Sequence, residues 1–157
     1  MKKYVLLTVT FLAAFAAAYS ALPAAAWDAE KRVDLGLDRI GMRWHILDYG
    51  TKEDGTPFAV ARKFYTNEQE RQKIIELLMS KFGYSEEVSG SLNSTEYEYE
   101  YTEDGKLFAV TYLRHQDMLG NEIHGTVYDD SSAETKKVFS PVVADQAVGK
   151  AAALAVP

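Results

Sequence analysis

The chain contains no cysteine. That excludes disulfides, thiol nucleophiles, cysteine metal sites and lipid attachment through an N-terminal cysteine, so burial and hydrogen bonding alone must hold the fold. Histidine is scarce as well, with only His45, His115 and His124. There is no G-x-S-x-G elbow for a serine nucleophile, no G-x-G-x-x-G and no phosphate loop. Basic residues are outnumbered, 17 against 23 acidic ones, and they form no compact cluster. A chain of formal charge -6 repels a phosphate backbone, so nucleic acid is not an expected partner.

What is present begins at the N-terminus. Lys2 and Lys3 precede an uncharged run over 4–22, Pro23 breaks it, and Ala24, Ala25 and Ala26 supply the small residues that signal peptidase requires. The pattern predicts a signal peptide over 1–26, cleaved before Trp27. The competing reading is an uncleaved anchor, since the run nearly reaches the roughly 20 residues of a membrane span. Its moderate hydrophobicity and cleavable flank favour removal, and with no cysteine the product is not a lipoprotein. Periplasm or medium is the expected destination. Removing 26 of 157 residues leaves 131, enough for one domain at 27–140 followed by an alanine-rich tail at 141–157. Loss of Lys2 and Lys3 from the 17 basic residues leaves 15 against 23 acidic ones, a charge of -8. Such a balance suits solubility or a basic protein or peptide partner.

Two eight-residue stretches nearly repeat: EDGTPFAV from Glu53 and EDGKLFAV from Glu103. In each, Asp-Gly separates strand-forming runs, which predicts a hairpin on a type I′ turn. A two-residue turn at Asp104-Gly105 pairs Tyr101 with Phe108, Tyr99 with Val110 and Tyr97 with Tyr112. The same rule at Asp54-Gly55 pairs Thr51 with Phe58 and Tyr49 with Val60. Calcium binding by these acidic turns is disfavoured, because the alternating oxygen ligands and distant bidentate glutamate of a calcium loop are missing.

Between the hairpins, Ile74, Ile75, Leu77, Leu78 and Phe82 recur at helical spacing over 67–82. Thr66 or Asn67 is placed to cap that helix and Gly83 to end it. Val33, Leu35 and Leu37 alternate as a short strand would, although 29–40 also reads as a helix. Residues 118–121 suggest a turn and 122–128 a further strand; 85–94 and 129–134 read as loops. The tail divides evenly between a loosely docked helix and no fixed structure, with Gly149 as an interruption. The expected fold is α+β: an antiparallel sheet of roughly five strands, built from two Asp-Gly hairpins plus a further strand, with one principal amphipathic helix packed on a face.

The candidate binding residues come from alternation in the fourth strand. Tyr97, Tyr99, Tyr101 and Tyr112 are expected on one face, and Glu96, Glu98 and Glu100 on the other. If a helix covers the tyrosines they are core, and the glutamates form a solvated outer face that meets a basic partner and discourages edge-to-edge aggregation. If the helix covers the other face, the tyrosines form a recognition surface. The glutamates do not suit glycoside hydrolysis, since they lie on one strand about 7 Å apart rather than across a cleft. No catalytic residue, metal ligand or cofactor is assigned. Zinc would require His45, His115 and His124 to converge from separate elements.

A helix over 67–82 followed by a hairpin at Asp104-Gly105, in an exported acidic chain, resembles PepSY-type and cystatin-like modules. That resemblance implies inhibitory or binding character, and it carries over no residue. The leading functional expectation is an exported module that binds or inhibits a protein or peptide. The alternatives are a secreted hydrolase with a His/Asp/Glu site and an envelope-associated structural protein.

Overall fold

The computed structural model describes residues 29–156, so the signal peptide expected over 1–26 and its expected cleavage site lie outside the described residues. A single 3-10 turn, Ala29–Lys31, leads into β1 (Val33–Leu37), β2 (Arg43–Thr51) and β3 (Pro57–Phe64). Helices α1 (Glu68–Phe82) and α2 (Glu86–Gly90) follow, then β4 (Ser94–Tyr101), β5 (Leu107–Gln116), β6 (Glu122–Val127), β7 (Ser140–Pro141) and α3 (Ala147–Ala155). The fold is α+β. Strands β1 to β6 lie in sequence order in one curled antiparallel sheet, and β7 adds a short pairing to β5. The expected five strands are therefore seven. Residues 33–37 form a strand rather than part of a helix, and 85–94 holds the short helix α2 instead of a continuous loop.

One turn geometry serves all four hairpins. The amides of Gly41, Gly55, Gly105 and Gly120 donate to the carbonyls of Asp38, Lys52, Thr102 and Asp117, each three residues back. All four glycines have positive φ, between 66° and 89°, while no non-glycine residue among the described residues does. The type I′ expectation is corrected here, because it required Asp54 and Asp104 at positive φ. Each turn begins earlier, and only its fourth residue needs the left-handed conformation that glycine adopts without steric cost. The Asp carboxylates instead accept local amides, as Asp104 does from Lys106 at 3.1 Å and Asp54 from Thr56 at 2.9 Å.

The register differs from expectation in two places. At the first repeat, Thr51 pairs with Pro57 and Tyr49 with Ala59, one residue away from the expected partners, because the loop has three residues. At the second, Tyr101 pairs with Phe108 and Tyr99 with Val110 as expected. A bulge beyond them then places Tyr97 opposite Leu113 and Tyr112 opposite Glu98. One extra residue inverts every side chain beyond it. Tyr112 thus shares the glutamate face.

Asn67 caps α1, its Oδ1 accepting from the amides of Gln69 and Glu70, and Gly83 closes it at φ 72°. The apolar stripe of α1 packs at one end of the sheet, where Ile75 and Leu78 meet Leu92, Tyr65 and Ile123. The main core belongs to the tail. α3 lies on the tyrosine face, and its Val148, Ala151, Ala152 and Ala155 pack with Ile46, Ala59, Ala61, Tyr99 and Tyr101. Alanine on both partners allows the helix a close approach to β3. Gly149 does not interrupt this helix: a Cβ there would stand 2.3 Å from the Val143 carbonyl oxygen, so glycine is what allows the docking.

Candidate functional site

Alternation along the strands sorts the sheet into two chemically distinct faces. Trp44, Tyr97, Tyr99, Phe108 and Val110 share the face on which α3 lies. His45, Arg62, Glu96, Glu98, Tyr112 and Arg114 share the opposite one.

The apolar face is not fully covered. α3 shields one part and α1 packs at one end, and a groove with about 530 Å³ of room for solvent opens between α3 and the β1–β2 hairpin. Its floor is a run of rings: Trp44 and Tyr97 have centroids 5.6 Å apart, Tyr97 and Tyr99 lie nearly parallel at 5.9 Å, and Phe108 meets Tyr99 edge-on at 5.7 Å. Leu35 and Leu37 line one side, and Gln146, Ala147 and Lys150 at the start of α3 line the other. Trp44 is fixed by its indole N–H, which donates to Asp38 at 2.9 Å. The same Asp38 carboxylate accepts the amides of Ile40 and Met42, so one side chain shapes the turn and orients the ring. Lys63 lies over Trp44, Tyr65 and Tyr97 at 5.1–5.8 Å, within cation–π range. Across the mouth, Arg39 of the β1–β2 turn forms an ion pair with Asp145, just ahead of α3.

Tyrosine chemistry divides along the floor. The Tyr101 hydroxyl donates to the Val148 carbonyl at 3.0 Å. Those of Tyr97 and Tyr99 have no hydrogen-bond partner among the described residues, and burial raises the pKa of both phenols. Of the candidate binding residues, Tyr99 and Tyr101 are core, with Tyr99 also facing the groove; Tyr97 is a half-buried part of the floor. Tyr112 is elsewhere, its hydroxyl donating to Glu122 at 2.8 Å on the other face.

The glutamates do not form a solvated face. Glu96 is 3% exposed and bridges Arg62 at 2.6 Å and Arg114 at 2.5 Å. Lys52 binds Glu98 at 2.7 Å and Glu100 at 2.9 Å, and Lys137 binds Glu100 at 3.0 Å. Burial works against the Glu100 carboxylate, but the hydrogen bonds from Lys52 and Lys137 outweigh it and hold the pKa below its usual value. These side chains are committed to neighbouring strands, so a basic partner would have to displace internal lysines and arginines.

The histidines divide two and one. His115 and His124 are cross-strand neighbours on the apolar face, with rings 6.5 Å apart. His115 Nδ1 lies 2.8 Å from the Thr95 hydroxyl, which is itself 2.6 Å from the Tyr65 hydroxyl. His124 stacks on Phe82 at 3.9 Å and meets the Tyr84 hydroxyl at 3.2 Å. His45 is on the other face, against Phe64 and Asp34. Burial, aided by the charges of His124 and Lys63, pushes the His115 imidazole down to about 4. Thr95, the nearest hydroxyl, is fully buried and presents no nucleophile to a substrate. Among the described residues, no group of three or more His, Asp or Glu is placed to hold a metal ion.

Sequence reasoning missed Trp44, Phe108 and the first turn of α3 as parts of a site. A signal for Trp44 existed, since it precedes Ile46 at strand spacing and so shares its face. For α3 the sequence left a docked helix and no fixed structure equally open, because its small residues make an indistinct apolar stripe. The chain matches no family model, no curated protein and no solved structure.

Proposed function

We propose that the protein is an exported binding module and that the groove between α3 and the β1–β2 hairpin receives an apolar segment of a protein or peptide partner. The aromatic floor carries this reading. Trp44, Tyr97 and Phe108 form an open surface of flat rings, and a groove of about 530 Å³ falls within the range of specific ligand sites. Aromatic residues supply much of the contact energy in such sites because they offer large rigid areas at low entropic cost. Leu37 and Ile40, 65% and 52% exposed, extend the apolar surface beyond the groove along the β1–β2 turn.

The hydrolase alternative is weaker because His45 is separated from the other two histidines by the thickness of the sheet. The envelope alternative has the tail pack against other copies or a membrane complex, whereas the apolar residues of α3 pack on the protein's own sheet. Native mass spectrometry of the protein from its producing cells tests the binding reading. A retained peptide or protein mass that disappears in Leu35→Trp, which fills the groove, supports it. A retained mass unaffected by Leu35→Trp places the binding site elsewhere.

A further inference from the structure

We propose that the C-terminal end of α1 is an acid-operated latch: His115 and His124, while neutral, hold Phe82 and Tyr84 against the sheet, and protonation of the pair releases α1 while the core beneath α3 stays closed. The latch does not rest on the groove reading.

The geometry comes first. Antiparallel pairing sets Lys63, Thr95, His115 and His124 in one row across β3 to β6. His115 is 5% exposed, and its ring lies within 25° of parallel to that of His124. His124 in turn stacks on Phe82, the last residue of α1, and its Nδ1 faces the Tyr84 hydroxyl. Tyr84 follows the C-cap Gly83, and its amide donates to the Leu78 carbonyl, so this ring moves with the helix end. The two imidazoles are thus the surface on which the end of α1 is seated.

The groups facing the pair are poor in acid. From the sheet and its margin come the Lys63 ammonium, the Tyr65, Thr95 and Thr126 hydroxyls and the Glu122 carboxylate, and from α1 and its cap come Lys81 and Tyr84. Burial disfavours the charged form of both rings; His124 and Lys63 add to this at His115, and Lys81 adds to it at His124, where Glu122 opposes it. That carboxylate also accepts from the Tyr112 hydroxyl. Two imidazolium charges would therefore enter a desolvated contact that already holds two lysines and one carboxylate.

Release is local because the two helices are seated separately. α1 rests through Ile75 and Leu78 on Leu92, Tyr65 and Ile123, whereas α3 belongs to the larger cluster around Ile46, Ala59, Ala61, Tyr99 and Tyr101, which contains no histidine among the described residues. Such segregation is what allows one element to open below the global unfolding free energy. A helix of 15 residues is marginal in water by itself, so α1 loses its backbone protection once it leaves the sheet. Release returns both imidazoles to water, where they take up protons near 6.5, while in the docked state His115 stays neutral down to about 4. The released state binds more protons between those values, so falling pH drives release.

The test is amide hydrogen exchange of the wild type at pH 7 and pH 5, each corrected for intrinsic exchange, with nitrogen NMR of the imidazoles over the same range. The amides of Ile75 and Leu78 should be less protected than those of β3 and β4 at both values. Their opening constant should rise roughly twentyfold from pH 7 to pH 5 through His115 alone, as proton linkage requires. Both rings should take up protons in the interval in which α1 loses protection, and the double variant His115→Gln/His124→Gln should flatten the rise. Equal protection in α1, β3 and β4 overturns the latch, because α1 then leaves only with the whole fold. Protection of α1 that is the same at both pH values overturns it, as does a rise that survives in the double variant. Rings that protonate while α1 stays protected overturn it too, and that measurement needs no variant.

Discussion

The Tyr101 hydroxyl donates to the Val148 carbonyl at 3.0 Å, joining the centre of the sheet to a helix 47 residues further along the chain. Both partners are buried, and the surrounding contact is alanine against alanine, where Ala151 and Ala152 pack with Ala59 and Ala61. Tyr101→Phe is expected to cost about 1 kcal/mol, with the Val148 carbonyl left unpaired at that position. Gly149→Ala is expected to cost more, since its Cβ collides with backbone rather than with a flexible side chain. Urea unfolding of the two variants ranks them; equal midpoints would contradict the described seating of α3.

Glu96 between Arg62 and Arg114 is the buried charge most dependent on its partners. Removing the carboxylate leaves two arginines facing each other, and such losses cost on the order of 3 kcal/mol. Glu96→Gln is expected to lower the unfolding midpoint well below that of Glu98→Gln, whose lysine partner retains Glu100. Chemical denaturation of the two variants side by side makes the comparison.

Acid should weaken the fold through His115. The folded chain keeps this imidazole neutral down to about pH 4, whereas the unfolded chain protonates it near 6.5. Between those values the unfolded state binds more protons, so stability falls as pH drops from 6.5 toward 4. The contribution amounts to as much as roughly 3 kcal/mol, following the free energy of a pKa difference. Melting temperatures measured across that window should decline in the wild type and decline less in His115→Gln.

Gly105 occupies the left-handed position of its turn at φ 66°, and a Cβ there would meet Val156 at 3.2 Å. Gly105→Val is expected to cost roughly 1–3 kcal/mol through backbone strain. An unchanged melting temperature would count against the turn as described.

The elements legible in the sequence are those with local causes. Thr66 or Asn67 at one end and Gly83 at the other marked the bounds of α1, and the Asp-Gly pairs located two hairpins, because capping and positive φ are decided within a few residues. The bulge that moves Tyr112 to the glutamate face was not legible, since strand alternation gives no sign of where one extra residue enters. Nor was the burial of Glu96, which depends on arginines from two neighbouring strands. α3 was ambiguous because its packing relies on the small size of alanine and glycine, and small residues make a weak periodic signal. The groove combines all of these non-local features. Of its floor, Tyr97 and Tyr99 were visible as a tyrosine run and Phe108 as the expected partner of Tyr101, while the convergence of Trp44 and the helix start on them depends on tertiary contact.

The central claim is that ligands lie on the aromatic floor of the groove, and Trp44 reports on that position directly. The chain has two tryptophans, Trp27 and Trp44, so Trp27→Phe leaves Trp44 as the sole emitter. Titrating this variant with whatever partner is retained from producing cells should give a saturable change in Trp44 emission, abolished by Leu35→Trp corrected for its added fluorophore. Saturable binding seen by calorimetry with Trp44 emission unchanged would contradict the account.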